Sequence, residues 1–191
     1  MTLANQVTAA RFLIAVVYFV LLALWRPGDG VALMWTALGL FSVACFTDWL
    51  DGYLARKRSE ETDLGRIADP FVDKIIICGS FVFFLKVESL QEFVAAWMVV
   101  VILAREFLVH GIRAVAEARG IKFGANTWGK LKMILQCAAV IGALGHCAGF
   151  SDVAAYWVLL KATIYLMLFS TVYSGMVYLV DARRVFVGGG A

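Results

Sequence analysis

Long apolar runs separated by short charged or turn-forming clusters dominate the chain. The runs cover approximately residues 6–26, 31–55, 66–86, 91–115, 130–149 and 153–180. Between them fall Arg26-Pro27-Gly28-Asp29-Gly30, then Arg56 to Asp63, Lys86 to Glu92, Arg119 to Asn126 and His146 to Asp152, the residue types of connections rather than of spans. Each run is close to the ~20 residues with which an α-helix crosses a bilayer, and too long and uniformly apolar for a barrel strand. Since only helices and closed barrels satisfy their backbone polar groups in lipid, the pattern predicts an all-α fold: an integral membrane bundle of six transmembrane helices.

Composition agrees. Of 191 residues, 62% are hydrophobic and 16% charged, whereas soluble domains are roughly half apolar and about a quarter charged. The length holds about six spans and no separate soluble domain. One domain over residues 1–185 is therefore expected, with 186–191, around Gly188-Gly189-Gly190, as a disordered tail. The first apolar run lacks the flanks of a cleavable signal peptide and is read as a retained span. Cys45, Cys78, Cys137 and Cys147 lie within or at the ends of apolar runs without metal-ligand spacing, and read as small buried hydrophobes.

The net charge of +3 hides an asymmetry. With both termini on one side, that side receives Arg11, Arg56, Lys57, Arg58, Arg66, Arg113, Arg119, Lys122, Lys130, Lys132, Arg183 and Arg184. The other receives Arg26, Lys86 and Lys161, while Lys74 and Arg105 lie deeper. The excess of Lys and Arg places the termini and the second and fourth loops in the cytoplasm. Part of this basic set reads as topology signals and contacts to anionic lipid, and no nucleic-acid partner is expected.

Four carboxylates break the apolar pattern. Asp48, Asp51, Gly52, Ala55 and Arg56 stand at i, i+3, i+4, i+7 and i+8 on one run, and Gly65, Asp69 and Asp73 at i, i+4 and i+8 on the next. Each set forms one helical stripe. At 1.5 Å per residue, Asp51 and Asp69 lie ~7–9 Å from the loop joining the helices and Asp48 and Asp73 ~12–15 Å from it, so an antiparallel hairpin pairs them by depth. An aspartate in mid-membrane costs roughly 2.5–3.5 kcal/mol even on lenient scales. Oxygen-only ligands without His or Cys point to a hard divalent cation, Mg²⁺ or Mn²⁺, as the compensation. Gly52, Ala55 and Gly65 leave room for a ligand near the backbone, although small residues also serve close helix packing. Arg56 suits phosphate recognition or, alternatively, a cytoplasmic basic cluster with Lys57 and Arg58. Pro70 removes a helix hydrogen bond beside Asp69, either reorienting that carboxylate or making a tolerated kink.

These eight positions resemble, at every spacing, the DxxDGxxARx(8)GxxxDxxxD signature of the CDP-alcohol phosphotransferase family. The resemblance implies a six-helix membrane enzyme, a homodimer, that cleaves a CDP-linked alcohol at its pyrophosphate and passes the phospho-substituent to an acceptor hydroxyl, releasing CMP. It further implies that Asp48, Asp51, Asp69 and Asp73 hold two divalent cations, with Asp73 as general base. On the same ground Gly52, Ala55, Arg56, Thr62 and Gly65 line the CDP site.

Further segments resemble the branch of that family that makes phosphatidylglycerophosphate. Asn5, Thr8 and Arg11 match its NxxTxxR segment, Ala104-Arg105-Glu106 with Arg113 its AREx(6)R segment, and Gly129-Lys130-Leu131-Lys132 its GKxK segment, whereas Val16 departs from a proline often found there. The resemblance implies CDP-diacylglycerol as donor, with Asn5 and Thr8 at its site, and sn-glycerol 3-phosphate as acceptor. It also implies a place in the bacterial inner membrane with the active site facing the cytoplasm. Arg105, Arg113, Lys130 and Lys132 are the candidate pocket for the acceptor's dianionic phosphate. Arg105 alternatively pairs with Glu106, and Lys130 and Lys132 alternatively anchor at the interface. His110 reads as a surface or packing residue, His146 as remote from the site, and Trp25, Trp97, Trp157 and Tyr178 as interface anchors. The rival readings are a cardiolipin synthase with phosphatidylglycerol as acceptor and, from another class, a divalent-cation transporter. The absence of an internal repeat speaks against the latter.

Overall fold

The computed structural model describes residues 3–26, 28–58, 63–121 and 127–187, with side chains described over 9–26, 28–47, 71–121 and 127–183. Six α-helices follow in order: α1 (Leu3–Leu24), α2 (Ala32–Arg58), α3 (Asp63–Phe84), α4 (Ala96–Ala118), α5 (Thr127–Gly145) and α6 (Ala154–Val187), with no strand among the described residues. One helix thus forms on each apolar run. The connections carry local reasons for stopping. Before α2, the Asp29 carboxylate accepts from the Arg26 backbone N–H at 2.9 Å while the Asp29 N–H donates to the Arg26 carbonyl at 2.9 Å. At the end of α4 the chain turns through Gly120, whose φ of +71° suits glycine. There Ile121 N–H bonds to the Ala116 carbonyl and Gly120 N–H to that of Glu117, the paired closure of a Schellman turn.

α4 begins five residues later than its apolar run. Residues Glu88–Leu90 form a single 3₁₀ turn, and Leu90, Phe93 and Val94 are buried. They plug the end of the bundle instead of extending the helix, so their hydrophobicity serves the core without helical periodicity. α6 runs to Val187, and residues 188–191 of the expected tail lie outside the described residues.

α5 is central. It packs against α2, α3 and α6, while α1 packs on α2 and α3, and α4 on α3 and α6. Ala139, Val140, Ala143 and Leu144 of α5 are all fully buried. In the same core, Ser80 donates to the Ile76 carbonyl at 2.6 Å, leaving its oxygen to accept from Tyr18 of α1 at 2.7 Å. That bond satisfies both hydroxyls away from water.

The outer surface is apolar as well. Leu13, Phe46, Val100, Phe107, Ile134, Leu159 and Phe169 are all exposed, Phe107 to 72%. A water-facing monomer rarely shows such an extent of apolar surface; a bundle solvated by lipid does. The stretches 127–150 and 154–183 are long and apolar enough to cross a membrane by length and composition, and shorter apolar stretches run over 9–24 and 32–47.

Close packing of α1 on α3 yields a paired prediction. A Cβ added at Gly79 would overlap the Phe19 ring, whereas one at Gly39 meets nothing within 4 Å; Phe19 is itself stacked on Phe83. Gly79→Ala is expected to lower the thermal unfolding midpoint in detergent, by overpacking worth about 1–3 kcal/mol. Gly39→Ala should hold or raise it, by up to about 1 kcal/mol of helix propensity.

Candidate active site

Helices α3, α4, α5 and α6 enclose a cavity of about 510 Å³. Helical periodicity supplies its walls. α3 contributes Asp73, Lys74, Ile77 and Cys78; α4 contributes Arg105, Glu106, Val109, His110 and Arg113; α5 contributes Gly129, Lys130, Lys132, Met133 and Gln136; and α6 contributes Tyr178. A smaller cavity of about 40 Å³ shares Asp73, Ile77 and Met133 with it and reaches Ala44 and Cys45 of α2. Asp73 therefore borders both spaces.

Charge is distributed unevenly around the larger cavity. Five cations, Lys74, Arg105, Arg113, Lys130 and Lys132, face three carboxylates, Asp73, Glu106 and Glu117. Glu106, 7% exposed, lies between two buried cations: it pairs with Arg105 Nη1 at 3.4 Å and with Lys132 Nζ. One carboxylate shared by two buried cations leaves positive charge on the wall, and such a wall favours an anionic ligand.

α6 fixes the directions of the arginines. Arg105 Nε donates to Ser174 Oγ at 3.2 Å, and its guanidinium lies 5.6 Å from the Tyr178 ring. The Arg113 guanidinium lies 5.2 Å from the same ring, with Nη2 donating to the Tyr178 hydroxyl. Cation–π attraction and hydrogen bonds thus fasten both forks to one aromatic residue. Gly175 permits the approach, since a Cβ there would stand 3.2 Å from Arg105 Cγ. From the other direction, Arg11 of α1, only 2% exposed, reaches Asp73 Oδ1 at 3.5 Å. Lys74 Nζ lies 2.9 Å from His110 Nδ1.

Asp73, Arg105, Arg113, Lys130 and Lys132, singled out in the sequence, all stand on this one cavity. Arg105 satisfies both of its readings, pairing with Glu106 while facing the cavity. The side chains of Asn5, Thr8, Asp48, Asp51, Gly52, Ala55, Arg56, Gly65 and Asp69, and all of Thr62, lie outside the described residues. The backbone is helical over 48–58 and 63–73, so the acidic positions keep the registers i, i+3 and i, i+4. Among the described residues no group of three His, Cys, Asp or Glu could hold a metal. Asp73, the described member of the acidic set, borders the cavity, and an all-carboxylate donor set suits a hard divalent cation.

Some residues emerge only in three dimensions. Tyr178, read as an interface anchor, is instead 2% exposed in the cavity wall. The signal was available in the buried polar stripe Ser170, Thr171, Ser174 and Tyr178 along α6. Glu106 appeared only as a partner for Arg105, and its simultaneous bond to Lys132 crosses from α4 to α5. Arg11 reads as a topology signal and as part of the NxxTxxR segment, and Lys74 as a deeper cation, in neither case with a partner; Gln136 carried no signal. His110 sits exposed at the cavity rim, while His146 is buried against Phe93. None of the four cysteines is in a disulfide, and the Cys45 and Cys137 Sγ atoms lie 3.6 Å apart.

The sequence model of a family described as CDP-alcohol phosphatidyltransferase matches residues 1–175. The chain is 34% identical over 185 residues to the CDP-diacylglycerol–glycerol-3-phosphate 3-phosphatidyltransferase of Bacillus subtilis, covering 92% of each chain. It is 30% identical over 174 residues to the protein of the same name from Haemophilus influenzae, covering 90% of this chain and 89% of the relative. A probable phosphatidylglycerophosphate synthase of Mycobacterium tuberculosis is 35% identical over 182 residues, covering 95% of this chain and 82% of the relative.

The shared carboxylate makes a stability prediction. Glu106→Ala leaves Arg105 and Lys132 without it and is expected to destabilise the protein by about 3–5 kcal/mol. Glu117→Ala, at an exposed position, should change stability by less than about 1 kcal/mol, the range of an exposed ionic contact. Unfolding of the two variants in the same detergent compares them directly; equal effects would contradict the role given to Glu106.

Proposed function

The chain belongs to the CDP-alcohol phosphatidyltransferase family, and on that premise we propose that it transfers the phosphatidyl group from CDP-diacylglycerol to sn-glycerol 3-phosphate, forming phosphatidylglycerophosphate and CMP. The names of its relatives support this donor and acceptor. The observation that carries the assignment to a site is the convergence of Arg105, Arg113, Lys130, Lys132 and Asp73 on one cavity. Four cations match a phosphate dianion, and the carboxylate on the same cavity can accept the proton of an acceptor hydroxyl.

In this reading Arg113 and the exposed Lys130 receive the phosphate of glycerol 3-phosphate, with Arg105 and Lys132 adding charge behind them. Tyr178 holds the two arginine forks in place, and Glu106 keeps the inner pair from repelling each other. The acceptor's primary hydroxyl then points towards Asp73, which Arg11 fixes in position. Its oxygen forms the new bond to the phosphatidyl phosphorus, the bond from that phosphorus to the CMP oxygen breaks, and the hydroxyl proton passes to Asp73. Asp48, Asp51, Asp69 and Asp73 would hold two divalent cations, Mg²⁺ or Mn²⁺, whose contribution when bound is to neutralise the pyrophosphate and the departing CMP. Gly52, Ala55, Arg56, Thr62 and Gly65, with Asn5 and Thr8, form the donor site beside them.

All six helices cross the inner membrane in this proposal, with both termini and the second and fourth loops in the cytoplasm. The acyl chains of the donor stay in the bilayer while cytidine occupies the polar mouth. The enzyme works as a homodimer.

Three measurements test the reading. With labelled CDP-diacylglycerol and a panel of acceptors, CMP release should require glycerol 3-phosphate; release with phosphatidylglycerol instead would assign a cardiolipin synthase. Asp69→Asn should abolish turnover, and chelation should do so reversibly, with Mg²⁺ or Mn²⁺ restoring activity. Full activity of that variant, or activity in excess chelator, would remove the metal centre from the account. Arg113→Ala should raise KM for glycerol 3-phosphate roughly 10- to 100-fold, the loss of a charged hydrogen bond, while leaving KM for the lipid donor unchanged. A KM unaltered for both substrates would place the phosphate elsewhere.

A further inference from the structure

Gln136 is 1% exposed, lines the larger cavity, and its amide nitrogen has no acceptor within hydrogen-bonding reach among the described residues. Burying an amide N–H₂ without a partner is unfavourable, so a ligand that supplies an acceptor would satisfy it. Its position says which kind of acceptor. Gln136 follows Lys132 by one helical turn and therefore continues the cavity-facing stripe of α5 away from Lys130. Gln136 and Asp73 line the same cavity as Lys130, and six residues at 1.5 Å rise set Gln136 about 9 Å further along α5 than Lys130. The cations on the walls account for an anionic group, whereas a neutral amide suits a neutral oxygen.

We infer that Gln136 donates a hydrogen bond to the secondary, non-reacting hydroxyl of the glycerol phosphate acceptor and thereby selects acceptors that carry one. The inference rests on the proposed phosphatidyl transfer and adds a specificity-determining residue to it. A three-carbon phosphate would lie with its phosphate on the basic wall, its primary hydroxyl at Asp73 and its secondary hydroxyl at Gln136. A site built to pair with a hydroxyl discriminates against the analogue lacking it, because the protein group is then left unsatisfied.

The test compares glycerol 3-phosphate with 3-hydroxypropyl phosphate, which lacks only the secondary hydroxyl, using full-length protein, CDP-diacylglycerol and CMP release. The wild type should prefer glycerol 3-phosphate by roughly tenfold or more in kcat/KM, as expected for one hydrogen bond. Gln136→Leu should bring that ratio close to one by losing activity towards glycerol 3-phosphate, with KM for the lipid donor unchanged. Gln136→Met, with an unbranched side chain of similar length, provides the same comparison should the leucine variant fail to fold. A readout without turnover accompanies these: replacing an unsatisfied buried amide by an apolar group should raise the thermal midpoint of the ligand-free protein. A folded variant that keeps the wild-type ratio would overturn the role of Gln136 while leaving the transfer reaction intact. Wild-type protein inactive with glycerol 3-phosphate would instead overturn the underlying reaction.

Discussion

Glu106 shares one carboxylate between Arg105 and Lys132, and the cavity wall depends on that sharing. A lone buried cation would be expelled or neutralised, and two side by side would repel. The carboxylate lets α4 and α5 bring both to the interior while leaving them a surplus of positive charge. The polar face of α6 completes the arrangement, because Ser174 and Tyr178 take up donors of Arg105 and Arg113 that would otherwise lie in an apolar bundle. Arg11 does the same for Asp73 from the side of α1. The bundle therefore contains a preorganised polar interior, with Arg11, Arg105, Glu106 and Lys132 all buried.

That organisation links stability to function. Buried ion pairs contribute little net stability compared with apolar packing, so their concentration along one cavity is a strong functional indication. The apolar remainder carries the fold: Tyr18, Phe41, Phe81 and Phe93 fill the core, and α5 passes through its centre among three other helices. Because α5 also bears Lys132 and Gln136, a helix at the centre of the packing also presents cavity-facing groups. Placement on a rigid element suits recognition of a small polar acceptor, whose hydroxyl must meet the phosphorus in a narrow range of positions.

Much of this was legible in the chain. Uniform apolar runs with charged breaks sufficed for the helix number and order, since tertiary packing in lipid leaves little alternative to helix. Fixed spacings made the acidic stripes and the basic segments readable as separate patches. What spacing cannot express is which stripes on different helices face one another. The Glu106–Lys132 pair, the contact of Arg11 with Asp73 and the burial of Tyr178 all join distant parts of the chain. The late start of α4 is a different failure: Leu90 and Phe93 are as apolar as helix residues, but they serve as a plug at the bundle end. The family and its chemistry were carried by the DxxDGxxARx(8)GxxxDxxxD spacing and by the relatives of similar sequence.

The most direct measurement is an experimental structure of the protein in lipid or detergent with glycerol 3-phosphate bound. The account predicts phosphate density within hydrogen-bonding distance of Arg113 and of Lys130 or Lys132, with the carbon chain directed towards Asp73 and Gln136. Acceptor density outside the cavity bounded by α3, α4, α5 and α6, with those cations turned to other partners, would contradict it.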